Sequence, residues 1–217
     1  MIKRAFTYAP PQEPLTYLYT DDDITIVEKP SGLLSVPGKT EPDCLEGRIR
    51  EDYPKTLTIH RLDMATSGVM VFARKANAQR HIGLQFEKRM IEKTYIARVW
   101  GRVEEDEGQV DLPLITDWPN RPKQMVCHER GKPSLTHWKV LERENNASRV
   151  ELYPKTGRSH QLRVHMLAIG HPILGDRLYA PDDAFDAAQR LQLHSHKLKL
   201  RKPVGGNWIE FKSPSPF

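Results

Sequence analysis

The chain has 217 residues, 38% of them hydrophobic and 28% charged, with a formal net charge of +5. That length holds one sizeable core or two small ones, and the longest apolar runs, such as 68–73, fall far below the ~18 residues of a membrane span. The only cysteines, Cys44 and Cys127, are far apart and lack CxxC spacing, which argues against a disulfide framework or a cysteine zinc site.

In chain order, residues 1–16 carry Pro10, Pro11 and Pro14 without hydrophobic periodicity and read as a tail or strap. Their pattern is not that expected of a secretory signal peptide. Residues 17–217 then read as a single domain, since no shift in composition marks an inner boundary. DITIVE (23–28) has strand character, and KPSGLLSVPG (29–38), with two prolines and two glycines, is a turn-rich loop. GVMVFAR (68–74) reads as a buried strand. Ala78, Ile82, Phe86 and Met90 recur every four residues, which predicts an amphipathic helix over 76–90. KTYIARVW (93–100) returns to a strand.

Further on, RVELY (149–153) is a strand and PKTGR (154–158) a turn. Ser159 stands where an N-cap belongs, Leu162, Met166 and Ile169 form an apolar stripe, and Gly170 sits at the C-terminal cap. This short helix carries His160, Arg163 and Leu167. Strands at 191–200 and 208–211 follow, so strands outnumber helices. The expected class is α+β, with a mixed, mainly antiparallel sheet and flanking helices.

The most informative stretch is HRLDMATSG (60–68), which places Asp63 two residues after Arg61 and closes on Thr-Ser-Gly. An aspartate there, before a buried strand, fits a nucleophile, a metal ligand or a turn cap. His160 with His165, and His194 with His196, lack the i, i+4 spacing that puts two imidazoles on one helical face, and no HExxH is present, so no metal site is expected. GxGxxG and GxxxxGK[ST] are absent, so no nucleotide cofactor is expected either, and the GxSxG elbow of many serine hydrolases is missing. What remains is a carboxylate with basic and aromatic neighbours, a set suited to covalent catalysis on a nucleic-acid base.

Charge is distributed unevenly. Residues 1–110 hold 16 Lys and Arg against 17 Asp and Glu, whereas 111–217 hold 17 against 11. This fits a polyanionic partner or a solvated basic surface.

HRLDMATSG (60–68), EKTYIARVWG (92–101) and TGRSHQLRVHMLAIGHPILGDRLYA (156–180) together resemble, in order and spacing, the signature segments of RluA-type RNA pseudouridine synthases. EKPSGLLSVPG (28–38) and LHSHKL (193–198) extend the likeness from about residue 20 to the C-terminus. DLPLITDWPNRPKQ (111–124) further resembles the short members, which modify a uridine in a tRNA anticodon stem-loop and another in large-subunit ribosomal RNA. Many relatives carry an additional N-terminal RNA-binding domain, for which the strand pattern beginning near residue 23 leaves no room.

The resemblance implies an isomerase that detaches uracil from its ribose, turns it and rejoins it through carbon 5, without a cofactor. It implies Asp63 as the nucleophile, attacking the anomeric carbon or carbon 6 of the ring, and Arg163 as the basic partner that favours its ionised form. Tyr95 would lie against the uracil and is the candidate base for the carbon 5 proton. The target uridine must be flipped out, and Arg61 is suited to fill its place; a structural ion pair between Arg61 and Asp63 is the rival reading. Thr66, Ser67 and Gly68 would shape the turn that aims Asp63. Arg121, Lys123 and Arg158 are candidate phosphate contacts. Structured RNA, both tRNA and 23S-type rRNA, is thus the expected partner of a monomer in the cytoplasm. The second reading is a non-catalytic RNA-binding or RNA-remodelling protein of the same fold.

Overall fold

A computed structural model describes residues 7–217. They fall into two compact units, one formed by the chain up to Lys93 together with His194–Pro216, the other by Thr94–Leu193 with Phe217. Part of the expected strap, residues 1–6, lies outside the described residues. Among the described residues, no helix is long and apolar enough to cross a membrane.

The first unit begins with extended chain. The Tyr8 hydroxyl donates to the Asp43 carbonyl at 2.8 Å and accepts the Leu34 N–H at 3.1 Å, while Arg48 donates to the Pro11 carbonyl at 2.7 Å. Strand β1 (Thr16–Thr20) pairs antiparallel with β2 (Ile24–Lys29), and the Asp21 carboxylate fastens their turn by accepting the Asp23 and Ile24 N–H groups, each at 2.9 Å. Helix α1 (Leu45–Asp52) buries only Leu45 and Ile49, too few apolar residues for the sequence pattern to announce a helix. Strands β3 (Leu57–Thr58) and β4 (Ser67–Ala73) follow, and every residue of β4 is buried. Helix α2 (Ala76–Glu87) lays Ile82 on a core of Ile24, Ile26, Val69 and Val71. It is shorter than the 76–90 expected from its stripe. Arg89 adopts the left-handed conformation (φ 56°) and the Met90 N–H returns to the Gln85 carbonyl at 2.9 Å, so the helix closes before Met90, which is 40% exposed.

In the second unit, β5 (Glu92–Trp100) from Thr94 on, β6 (Glu107–Asp111), β9 (Leu135–Arg143) and β10 (Ala147–Pro154) form an antiparallel array in the order β5-β10-β9-β6. Strands β7 (Leu114–Thr116) and β8 (Gln124–Val126) make a separate ribbon, joined through a 3-10 turn at Trp118–Asn120. Helix α3 (Gln161–Ala168) occupies the expected place, but Ser159 is not its cap. His160 holds that position with φ 52°, and the Gln161 side chain folds back to accept the Arg158 N–H at 3.0 Å. The expected close at Gly170 is present, with φ 86° and the His171 N–H bonded to the Met166 carbonyl at 2.9 Å. Helix α4 (Asp182–Asp186) completes this unit, its Ala184 packed with Ala147, Leu174 and Ala180.

The chain then re-enters the first unit. Strand β11 (Leu193–Arg201) runs parallel to β4, with His194 opposite Ser67, and pairs antiparallel with β12 (Trp208–Lys212). A parallel junction among mainly antiparallel pairs, with flanking helices, gives the mixed α+β class expected.

Candidate active site

Asp63 lies in the loop that leads into β4, and that loop is gripped from one side by 29–35. Lys29 is fully buried (0% exposed), with Nζ donating to the carbonyls of Pro30 at 2.8 Å, Leu33 at 2.6 Å and Met64 at 2.8 Å. Three carbonyl acceptors match the three donors of an ammonium and offset its removal from water. The Gly32 N–H also reaches the Met64 carbonyl at 2.9 Å, and Ser31 Oγ donates to the Ala65 carbonyl at 2.7 Å. Ser35 Oγ donates to the Leu62 carbonyl at 2.7 Å and accepts the Leu62 N–H at 3.1 Å. The backbone on both sides of Asp63 is therefore fixed, and the Thr66 N–H closes the turn onto the Asp63 carbonyl at 3.0 Å. Asp63 itself is partly buried and Arg61 is exposed.

The rest of the segment anchors this loop to the core. His60 Nε2 accepts the Val71 N–H at 3.1 Å, and its ring stacks on Phe86 at 4.7 Å. Burial, reinforced by the nearby Lys93 charge, pushes the imidazole down to about 3, so it is neutral at pH 7. Burial likewise pushes Lys93 down to about 8. Gly68 has φ 112°, and a Cβ there would meet the Ser195 carbonyl oxygen at 2.2 Å, so only glycine permits the approach of β11. Ser67 Oγ lies 2.9 Å from His194 Nδ1, whose Nε2 is 3.1 Å from the Ser213 carbonyl oxygen. A proton on Nε2 makes a consistent chain of Ser67 to His194 to Ser213.

In the second unit, Arg163 (5% exposed) forms a bidentate pair with Asp176 (1% exposed): Nε to Oδ2 at 2.7 Å and Nη2 to Oδ1 at 2.6 Å. Oδ1 also accepts the Leu178 N–H at 2.9 Å and the Tyr179 N–H at 3.2 Å. Tyr179 lies with its ring 5.0 Å from the Arg163 guanidinium, and its hydroxyl accepts the Gln124 N–H at 2.8 Å and sits 2.6 Å from His160 Nδ1. Lys123 Nζ is 5.9 Å from the same ring. One aromatic thus links the β7–β8 ribbon to α3. Next to it, the Arg121 guanidinium stacks 4.1 Å above Trp118, which is 64% exposed. Arg158 Nε reaches the Pro133 carbonyl at 3.4 Å, and the partly buried Tyr95 is paired with Leu152 across β5 and β10.

Of the residues singled out from sequence, Asp63 and Arg61 lie in the first unit, while Tyr95, Arg121, Lys123, Arg158 and Arg163 lie in the second. Tyr179 brings Lys123 and Arg163 together. Sequence reasoning missed Lys29, Ser31 and Ser35 as the grip on the loop, and Asp176 and Tyr179 as the holders of Arg163. The first three lie in EKPSGLLSVPG and the other two in TGRSHQLRVHMLAIGHPILGDRLYA; what pointed to Asp176 was only that a buried arginine needs a carboxylate. Among the described residues no three His, Cys, Asp or Glu side chains converge as metal ligands.

Residues 23–168 match the family model for RNA pseudouridylate synthase. The chain is 56% identical over 214 residues to a dual-specificity RNA pseudouridine synthase RluA of Salmonella typhimurium and equally so to that of Escherichia coli, covering 97% of this chain and 98% of each relative. The counterpart in Pasteurella multocida is 50% identical over 215 residues. Among solved structures, human RNA pseudouridylate synthase domain containing 1 superposes with a TM-score of 0.82 at 30% identity, covering 96% of this chain and 87% of the other.

Proposed function

The chain belongs to the RNA pseudouridylate synthase family, and from that premise we propose that it isomerises one uridine in a tRNA anticodon stem-loop and one in a large-subunit rRNA hairpin, with Asp63 as nucleophile. Dual specificity is in the names of relatives that cover 97% of the chain, and the two RNAs are those implied by the likeness of DLPLITDWPNRPKQ (111–124) to the short family members. The observation that carries the role of Asp63 is the rigid loop around it. Lys29, Ser31, Gly32 and Ser35 pin the backbone of Leu62, Met64 and Ala65, which preorganises the carboxylate between them.

The Asp63 carboxylate attacks the uridine at the anomeric carbon or at carbon 6, the uracil detaches and turns, and carbon 5 bonds to the ribose. Tyr95 takes the carbon 5 proton while its own hydroxyl proton passes through solvent to the ring nitrogen freed from the ribose, and release of Asp63 regenerates the enzyme, so atoms and electrons balance. Arg61, exposed beside the nucleophile, takes the place vacated by the flipped base. Arg163, held rigid by Asp176, supplies a positive charge to this chemistry. Arg121, Lys123 and Arg158 hold phosphates, with the Arg121–Trp118 stack offering both a charge and a flat apolar surface. The protein works as a monomer in the cytoplasm and adds no metal or nucleotide to this chemistry.

Tritium release from RNA labelled at uracil carbon 5 tests the reading, using an unmodified tRNA anticodon stem-loop and an rRNA hairpin with the purified protein alone. Release by the wild type and none by Asp63→Asn, at similar RNA affinity, is expected. Substantial release by Asp63→Asn would remove Asp63 from the role; binding without release by the wild type on both RNAs would favour the non-catalytic reading.

A further inference from the structure

The β11–β12 hairpin has two unlike faces. Leu198 and Leu200 are 1% and 0% exposed and join the core with Ile82 of α2, while Ile209 and Phe211 pack against the same cluster. Strand alternation places Lys197, Lys199 and Arg201 of β11 and Trp208, Glu210 and Lys212 of β12 on the other face. Residues 197–212 contain five basic residues and one acidic one.

Two features of that face are unfavourable for a surface with folding as its only task. Trp208 is 42% exposed, with Arg201 at 4.7 Å and Lys199 at 5.3 Å from its ring. Lys197 and Lys212 are direct cross-strand partners, an arrangement of like charges that opposes strand pairing. Glu210 mitigates this only in part, at 3.1 Å from Lys212 and 4.0 Å from Lys197, and Lys199 is shared with Glu92 at 3.0 Å. A cross-strand Arg201–Trp208 staple accounts for one pair but not for the opposed lysines.

We propose that this face is an RNA-contact surface outside the Asp63 loop, on which Lys197, Lys199, Arg201 and Lys212 hold backbone phosphates and Trp208 stacks an unpaired base. An indole flanked by cations on a basic strand pair has the composition of a single-strand stacking platform, and the excess of positive charge selects a polyanion. The inference rests on RNA being the substrate and adds to it a contact that governs affinity rather than chemistry.

The test uses the full chain, an unmodified tRNA transcript and a large-subunit rRNA fragment, with binding followed over about 50–200 mM salt. Lys197→Gln combined with Lys212→Gln is expected to lower the slope of log K against log salt by about 1.4–1.8, as two lost phosphate contacts require, on at least one RNA. Its melting temperature should stay level or rise, since the opposed charges are gone. Trp208→Leu should weaken binding about 5- to 100-fold and Trp208→Phe should restore most of it, with kcat at saturating RNA unchanged in each. Wild-type affinity and slope in these variants on both RNAs would overturn the proposal, as would affinity losses confined to variants that melt early. Continued pseudouridine formation in that case leaves the isomerase reading intact, whereas lost binding with no turnover by the wild type would sink that reading and keep this surface.

Discussion

At the scale of single residues, the candidate nucleophile owes its position to groups that never meet substrate. Lys29 donates to three carbonyls, so replacing it with Met takes the ammonium donor from Pro30 and the buried Leu33 bond and leaves Met64 with the Gly32 N–H alone. Lys29→Met is expected to cost about 2–4 kcal/mol in urea unfolding and to lower kcat far more than it raises KM, because the RNA-binding side chains are untouched. Unchanged stability and kcat would show that the loop holds itself. His60 makes the same segment sensitive to acid. Its folded pKa lies near 3, below the ordinary 6.5, so the unfolded chain binds the extra proton and stability falls as pH drops from about 6.5 toward 3. His60→Gln, whose amide oxygen can still accept the Val71 N–H, should flatten that part of the stability–pH curve; an identical acid limb in both proteins would exclude His60 as its source. His60, Arg61 and Asp63 were legible because they stand together in one compact motif. Asp176 was not singled out, because its partner Arg163 is 13 positions away and only packing shows that both are buried.

At the scale of elements, legibility followed the strength of the apolar pattern. The stripe of Ala78, Ile82 and Phe86 announced α2, and the dense apolar run at 68–73 announced β4. In contrast, α1 has two buried residues in eight, and β6 to β9 alternate weakly because their outer faces are solvated, so neither rose above the surrounding sequence. Helix ends were harder still: Arg89 closes α2 in a conformation usually left to glycine, and His160 displaces Ser159 at the start of α3. Two glycines give opposite expectations. Gly83 lies within α2 with nothing inside 4 Å of the place a Cβ would take, so Gly83→Ala should stabilise by about 0.5–1 kcal/mol, raising the melting temperature by roughly 1–4 °C. Gly68→Ala should instead disrupt the β4–β11 junction and with it the Asp63 loop, losing activity and several degrees of melting temperature, since its Cβ would meet backbone. Equal tolerance of both changes would contradict the tight approach at Ser195.

At the scale of the whole molecule, the uneven charge of the sequence does not correspond to a structural division. The basic half, 111–217, supplies most of the second unit and also the β11–β12 hairpin, which falls in the first unit with the N-terminal part of the chain. Linear composition therefore signalled a polyanionic partner without indicating how the charge is apportioned, whereas strand alternation in the folded hairpin sorts four cations onto one face. On the proposed assignments RNA binding and uridine chemistry draw on different side chains, and salt would separate them. Each lost phosphate contact removes about 0.7–0.9 from the slope of log K against log salt, so Arg121→Ala, Lys123→Ala and Arg158→Ala should each flatten the response by that amount. Asp63→Asn should keep the wild-type slope while turnover vanishes, because a carboxylate releases no counterion from the RNA. A flat response in the wild type would count against phosphate contacts altogether. A slope altered by Asp63→Asn would mean that the nucleophile also shapes the bound RNA, and affinity and chemistry would then share a residue.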